Sequence, residues 1–303
     1  MTTNQKAYLA LAVVCLVWGT TYLGMRIGVQ TFPPLLFSGI RHTTAGVALL
    51  LFLRLSGKLP KMAGSALLRQ AIPGVLMIAL GNGLIGWSER FIPSGLAALI
   101  IAIMPVYVVG INYFSGIDTK PLNRSIVLGL LLGCAGIGLI FRDNVQDLAN
   151  PDYFKSVLVA FAACLAWASG SIYAKQNPTS GSALVNSAVQ LTSGGLALLL
   201  GGVLFDNIQE IKTVSMESLY ALLYLILFGS LLAYICFLYA LEKLPVGLAS
   251  IYAYINPFIA LVLGALVLDE PLTWLTGLAL LAALAGVWYL NKGYRTPSEV
   301  AAD

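Results

Sequence analysis

Polar side chains that could do chemistry are few in this chain, and most of them interrupt apolar runs. Arg41 and His42, the only histidine, stand side by side near the start of the stretch FSGIRHTTAGVALLLFL. Asn82 breaks another apolar run between Gly81 and Gly83, and Glu89 closes that run. An arginine presents five N–H donors in a fork that matches a carboxylate, whereas a glutamate or a histidine can exchange a proton. Arg41 lies about seven residues past the start of its run, roughly 10 Å along an α-helix. An unpaired charge at that depth in a bilayer costs about 3 kcal/mol even on the lenient insertion scale. Three roles therefore stay open for Arg41. It could reach back to the headgroups, tie helices together through Glu89 or backbone carbonyls, or hold an anionic group of a bound solute. Glu89 and His42 are the candidate proton-coupling groups, because no aspartate lies within an apolar run.

Aromatic and proline residues supply the rest of the candidate site. Trp18 and Trp167 fall near the centres of their runs, whereas Trp87, Trp274 and Trp288 lie near run ends, where membrane tryptophans gather. The central pair either packs between helices or lines one cavity from two sides. Pro105 and Pro257 each remove a backbone donor and leave the carbonyl four residues earlier, Ile101 and Ala253, without its helical partner. At membrane depth such backbone is tolerated only against protein or a wet cavity. Tyr107 follows Pro105, while Tyr252 and Asn256 are four apart and share a helix face beside Pro257. With Tyr22 these residues would make an aromatic, weakly polar chamber, suited to a small organic solute rather than a bare metal ion.

Other chemistries are not supported. No HExxH, GxSxG or buried aspartate pair occurs, so an enzyme is not expected, and no GxxxxGK[ST] points to an ATP-driven pump. Cys15, Cys134, Cys164 and Cys236 lie inside apolar runs without a CxxC or Cys/His cluster, so no metal, disulfide framework or other cofactor is expected.

These residues need elements to hold them. Hydrophobic residues make up 59% of the chain and charged residues 10%, with a mean hydropathy of +0.87. So few charges cannot cover a water-soluble surface, so the partner is membrane lipid. The net charge of +4 is spread over short loops, which argues against a nucleic-acid partner. Ten runs are long enough to cross a bilayer, at 7–27, 34–54, 68–87, 94–113, 124–141, 156–175, 183–204, 218–240, 246–268 and 272–290. The expected fold class is an all-α integral membrane protein. Placing both termini in the cytoplasm puts 11 Lys and Arg residues inside and 5 outside, and the reverse orientation would invert that bias.

The chain is written twice. CLVW at Cys15–Trp18 returns as CLAW at Cys164–Trp167, Gly46 pairs with Gly195, and IPSGLAALIIAIMP at Ile92–Pro105 pairs with LPVGLASIYAYINP at Leu244–Pro257. The same register pairs Arg41 with Gln190, putting a polar side chain at corresponding spots in both halves. The expected units are residues 1–150 and 151–303. Five spans per unit is an odd number, so the second unit must enter the membrane inverted, an architecture of many secondary transporters. The first run has a partner in the sixth, which argues against a cleaved signal peptide.

WGTTY in the first run, the arginine in the second, GNG in the third, PSGLAALIIAIMP in the fourth and YAYINP in the ninth resemble the drug/metabolite transporter superfamily, EamA type. Within it the chain looks most like bacterial inner-membrane exporters. The resemblance covers nearly the whole chain and implies ten helices, cytoplasmic termini and efflux of small molecules, without fixing the substrate. The expectation is a secondary active exporter of amino acids, metabolites or amphipathic drugs, working by alternating access through a central aromatic-lined cavity. Its site would comprise Trp18, Tyr22, Arg41, Asn82, Pro105, Tyr107, Trp167, Gln190, Tyr252, Asn256 and Pro257. A facilitative channel and a flippase component are the alternatives. Run five carries Gly129, Gly133, Gly136 and Gly138, and run ten carries Ala282, Ala283, Ala285 and Gly286. Such faces serve packing within a monomer or the seam of a homodimer.

Overall fold

A backbone in hydrocarbon has no water to bond, so long aliphatic runs close their hydrogen bonds within helices. The computed structural model describes residues 3–116, 123–143, 146–179, 181–244, 246–249 and 252–294, and all regular structure among them is helical. In chain order the helices are α1 (Thr3–Gly28), α2 (Pro34–Leu55), α3 (Gly64–Ser88), α4 (Ser94–Ile101), α5 (Met104–Phe114), α6 (Arg124–Asp143), α7 (Pro151–Gln176), α8 (Ala183–Phe205), α9 (Met216–Lys243), α10 (Val246–Ala249), α11 (Tyr252–Leu268) and α12 (Trp274–Tyr294). Among the described residues seven helical segments are long and apolar enough to cross a membrane, counting α4 and α5 together. Three shorter apolar helices, Arg124–Gly136, Ile255–Leu268 and Trp274–Gly286, fall within expected spans five, nine and ten.

Local chemistry sets the helix ends. Asn150 accepts from the backbone N–H groups of Asp152 and Tyr153, and Pro151 takes the first position of α7, where its missing donor costs nothing. After α2 the chain turns through Gly57 at φ +67°, with Lys58 N–H donating to Leu53 and Gly57 N–H to Arg54, a Schellman closure that needs a left-handed residue. Distant carboxylates cap two other helices. Asp206 accepts from Leu36 N–H at 2.8 Å, and Glu270 accepts from Ser94 N–H at 2.9 Å and Gly95 N–H at 3.2 Å. Each acid sits at a positive helix end, so these loop acids tie the two halves of the chain together.

Two departures from regular α-helix matter for the site. In α3 residues Gly74–Gly83 are π-helical, and in α9 residues Leu225–Leu232 are as well. The two segments occupy corresponding places in the repeated sequence. Wide turns of this kind release a backbone group from the usual ladder and cluster at functional positions. Pro105 acts differently from Pro257. The first sits at the start of α5, after a break at Ala102 and Ile103, whereas the second lies inside α11. The Pro105 side chain lies outside the described residues.

Small residues let equivalent helices meet. Along α2 and α8, Leu36 lies against Gly202, Gly39 against Leu199 and Gly46 against Thr192, while Gly195 lies against Thr43. Numbers rise on one helix as they fall on the other, so the pair runs antiparallel. The contacts are also reciprocal, because Thr43 and Thr192 are partners in the repeat, as are Gly46 and Gly195. The same pattern joins α6 and α12. A Cβ on Gly136 would lie 2.9 Å from the Ala279 carbonyl, and one on Gly286 would lie 2.8 Å from the Gly129 carbonyl. This small-residue face is thus filled within the molecule. Outward-facing Leu131, Leu200 and Leu281 are more than half exposed, as lipid-facing side chains are. Gly136→Ala and Gly286→Ala are each expected to destabilise by about 1–3 kcal/mol through overpacking. Gly138→Ala, where a Cβ meets nothing within 4 Å, should leave the detergent melting temperature unchanged.

Candidate functional site

At the centre of the bundle, aromatic rings from both halves stack. Trp18 of α1 meets Trp167 of α7 edge to face, with centroids 5.5 Å apart and planes at 84°. Tyr252 of α11 stands 4.8 Å from Trp18, and Phe237 of α9 stands 5.1 Å from it. Edge-to-face geometry sets positive ring edges against negative faces and fixes the rings relative to one another. The Trp18 indole N–H donates to the Gly229 carbonyl at 3.0 Å, so the π segment of α9 supplies the acceptor.

On one side of this aromatic layer lies a cavity that gives the centre of a water molecule about 60 Å³. Trp18, Tyr22, Trp167 and Tyr252 form its aromatic walls, and Arg41, Asn82, Glu89 and Asn256 its polar ones. That volume admits a few waters, so a solute requires the walls to part. The periodicity of α1 puts Tyr22 one turn beyond Trp18, and α11 does the same for Asn256 beyond Tyr252.

Arg41 and His42 project from α2 into a closed ring of hydrogen bonds. Arg41 Nε donates to Ser230 Oγ at 2.8 Å, and Ser230 Oγ lies 3.2 Å from His42 Nδ1. His42 Nε2 lies 3.0 Å from Asn82 Oδ1, which also accepts from Arg41 Nη1 at 3.4 Å. An amide oxygen only accepts, so His42 Nε2 must carry a proton. Arg41 Nε uses one lone pair of Ser230, which leaves its hydroxyl hydrogen and second lone pair for His42 Nδ1. Both ring nitrogens of His42 are thereby occupied within the ring. Asn82 ends the π segment of α3 and Ser230 lies in that of α9, so the two irregular turns clasp Arg41 from both halves. Gly229 leaves the room for this, since a Cβ there would lie 2.8 Å from Arg41 Nη2. Ser230→Ala breaks the ring at two bonds and is expected to destabilise by about 1–3 kcal/mol. Melting in detergent checks this, with Ser169→Ala as control, because Ser169 bonds only to its own helix.

Arg41 does not run out to the protein surface. Its side chain is buried, and its hydrogen-bond partners among the described residues are Ser230, Asn82 and the Met25 sulfur at 3.9 Å, all neutral. Nor does it pair with Glu89, because the ion pairs among the described residues are Arg90–Glu210 and Lys243–Glu242. Glu89 is fully buried, and neither carboxylate oxygen has a hydrogen-bond partner among the described residues. Arg26 donates to the backbone carbonyl of Glu89 and fastens the end of α3 without touching the carboxylate. Asn256 faces the Tyr22 hydroxyl, yet neither amide atom makes a hydrogen bond of normal geometry, and the same holds for the Trp167 indole N–H beside Tyr252.

Three expected site residues, Gln190, Tyr107 and Pro257, fall outside the lining of this cavity, and the side chain of a fourth, Pro105, lies outside the described residues. Gln190 accepts from Tyr234 at 2.6 Å and donates to Gln70 at 2.6 Å, lining a separate cavity with Lys175. Along α7 the first cavity meets Ala163, Cys164 and Trp167, and the second meets Ala174 and Lys175 two turns further on. Gln190 therefore stands on the opposite side of the aromatic layer from Arg41. Tyr107 is half-buried against the core and does not line the first cavity. The break at Ala102 and Ile103, just before Pro105, falls between Ile101 and Met104, which both line the cavity, and Pro257 is buried beside Asn256. Sequence reasoning missed Ser230, Gly229 and Gln70. The Gly-Ser pair inside the apolar stretch LFGSLL was a legible signal, parallel to GNG in α3, whereas Gln70 beside Arg69 reads as an ordinary interfacial residue.

An all-helical, multi-pass membrane protein built around a central polar cavity is the class that these features define. The EamA-like transporter family matches residues 5–142 and again residues 154–292. The chain belongs to that family. It is 33% identical over 276 residues to the protein called "Uncharacterized inner membrane transporter YedA" of Escherichia coli (strain K12), across 89% of this chain and 86% of that protein. It is 27% identical over 272 residues to "Uncharacterized transporter YoaV" of Bacillus subtilis (strain 168), across 88% of this chain and 90% of the relative. A solved crystal structure, 18% identical, superposes with a TM-score of 0.66 over 94% of this chain and 96% of its own, a likeness of fold.

Proposed function

We propose that this chain is a secondary carrier that exports small organic solutes across the bacterial inner membrane, with both termini cytoplasmic. The observation that carries the reading is the cavity itself. It lies where the two sequence copies meet, is walled by aromatic rings, and holds buried polar atoms that have no partner among the described residues. Buried polar groups are otherwise almost always bonded, so unsatisfied ones facing a cavity are poised for a ligand. Antiparallel packing of α2 on α8 and of α6 on α12, with reciprocal glycine contacts, supports two inverted five-helix copies. In that architecture one copy rocks against the other, and access passes from the charged cavity to the Gln70–Gln190 side. Glu89 is the coupling group in this reading, because its carboxylate faces the cavity while both nitrogens of His42 are occupied.

Reconstituted in proteoliposomes, the protein should give flux that saturates with solute and is accelerated by unlabelled solute on the far side. Flux that rises linearly without such counterflow would make it a channel and overturn the carrier reading.

A further inference from the structure

We infer that Arg26 and Lys175 are equivalent latches, one at each end of the transport path, and that each must release a helix end for the path to open on its side. This rests on the carrier reading and deepens it by naming the residues that govern access.

The two cations correspond in the repeat and do the same thing. Each lies eight residues beyond its tryptophan, Arg26 beyond Trp18 and Lys175 beyond Trp167, which is about 12 Å along the helix. Arg26 Nη1 donates to the backbone carbonyl of Glu89, at the end of α3. Lys175 Nζ donates to the carbonyls of Leu241 at 2.7 Å, Glu242 at 3.1 Å and Leu244 at 3.2 Å, at the end of α9. Leu241 is the repeat partner of Glu89, so the shortest Lys175 bond reproduces the Arg26 bond in the other copy. The last carbonyls of a helix lack helical partners and carry its negative end, so a cation is held there by hydrogen bonds and by charge.

Both bonds join groups of helices that are otherwise tied to different neighbours. Side-chain hydrogen bonds fasten α1 to α9, through Trp18 on the Gly229 carbonyl and Thr20 with Tyr224. Others fasten α7 to α3, through Ser88 on the Ser156 carbonyl at 3.0 Å and Ser171 on the Met77 sulfur at 3.3 Å. Packing agrees, with α1 along α9 and α11, and α7 along α3 and α5. Arg26 reaches from α1 to the α3 group, and Lys175 reaches from α7 to the α9 group. The two bonds lie at opposite ends. After Trp18, α1 lines the first cavity with Thr21, Tyr22 and Met25, whereas α7 lines it with residues up to Trp167, so the helices run in opposite directions. Met25, beside Arg26, borders the first cavity, and Lys175 itself borders the second. Here both bonds are made, and the first cavity admits only a few waters. Rocking that opens one end pulls its helix pair apart, so the two bonds cannot both persist through a cycle. Glu270, on the N–H groups of Ser94 and Gly95, adds a tie at the Arg26 end and stays intact in the variants below.

The test uses the full-length protein in detergent and one reactive cysteine at a time, modified by the water-soluble reagent 2-sulfonatoethyl methanethiosulfonate. Cys164 reports on the first cavity, which it lines, once Cys15, Cys134 and Cys236 are replaced by alanine. Leu238→Cys, with Cys164 replaced as well, reports on the second cavity, where Leu238 is buried. Arg26→Met should raise the modification rate of Cys164 at least fivefold without raising that of Leu238→Cys. Lys175→Met should do the reverse. Arg26→Lys and Lys175→Arg keep a cation and should keep the parental rates. Where a methionine variant does not fold, glutamine replaces it, keeping N–H donors without the charge, with the same expected directions. Unchanged rates, or rates that rise at both reporters in one variant, would make the cations fixed helix caps and overturn the inference. A response from only one of the two positions would overturn their equivalence and the inference with it. Counterflow by the parental protein separates this from the carrier reading. Its absence for every solute would remove the carrier, whereas counterflow with unmoved reporters would remove only the latches.

Discussion

Glu89→Gln is expected to abolish solute accumulation driven by a pH gradient while solute-for-solute exchange continues at a raised half-saturating concentration. The carboxylate is fully buried at the cavity with neither oxygen bonded, so nothing in the protein competes for a proton there. The charged groups that act on it from neighbouring elements are Arg26 on α1, Arg41 on α2 and Glu270 beyond α11. An amide has the same shape and cannot take up a proton at neutral pH. The variant should therefore keep the cavity and lose the coupling. The expected fall in pH-driven accumulation is at least tenfold, against no more than a few-fold in maximal exchange rate. Accumulation that survives in Glu89→Gln would move the coupling away from this residue. Loss of both activities together, with normal melting, would make Glu89 a binding group alone.

Much of the architecture was legible because apolar length and repeated motifs report on spans directly. Cys15 to Trp18 against Cys164 to Trp167 revealed the duplication, and the matched pair Gly46 and Gly195 turned out to make reciprocal contacts, with Thr192 and Thr43. Gln190 shows the limit of that logic. Along antiparallel helices, equivalent positions meet only at the crossing, which here falls between Thr43 and Gly46. Arg41 and Gln190 lie on opposite sides of it, about 10 Å apart along the helix axis, so a polar pair in sequence became two separate sites. The tryptophans meet because they lie at the centre. The π segments were not legible, since a widened turn depends on a tertiary partner for the backbone group it frees. Here that partner is the Trp18 indole, more than two hundred residues from Gly229. Pairing with Glu89 was one of three roles open to Arg41, because an unpaired intramembrane charge is costly. Among the described residues the two form no ion pair where they line the cavity, which is the kind of local rule a functional site breaks.

Trp18 and Trp167 correspond in the repeat, yet their substitutions should behave differently. Trp18→Ala removes a ring stacked on Trp167, Phe237 and Tyr252, and it strips the Gly229 carbonyl of its donor. Large-to-small changes of this kind cost about 3–5 kcal/mol. Solute exchange should fall at least tenfold, and the melting temperature should fall with it. Trp18→Phe keeps most of the stacking and loses the hydrogen bond, so it separates the two contributions. Its destabilisation should be about 1–3 kcal/mol, the cost of a buried acceptor left open. Trp167→Phe shrinks a packed ring as Trp18→Phe does but breaks no hydrogen bond, so its destabilisation should be smaller than that of Trp18→Phe. Its half-saturating solute concentration should nevertheless rise several-fold, because in the carrier reading that N–H is completed by solute. Equal destabilisation of Trp167→Phe and Trp18→Phe, with unchanged solute affinity in both, would make the pair a packing element and withdraw it from the site. The discriminating quantity is the ratio of affinity loss to stability loss, which is high for a group that meets solute and low for one that meets only protein.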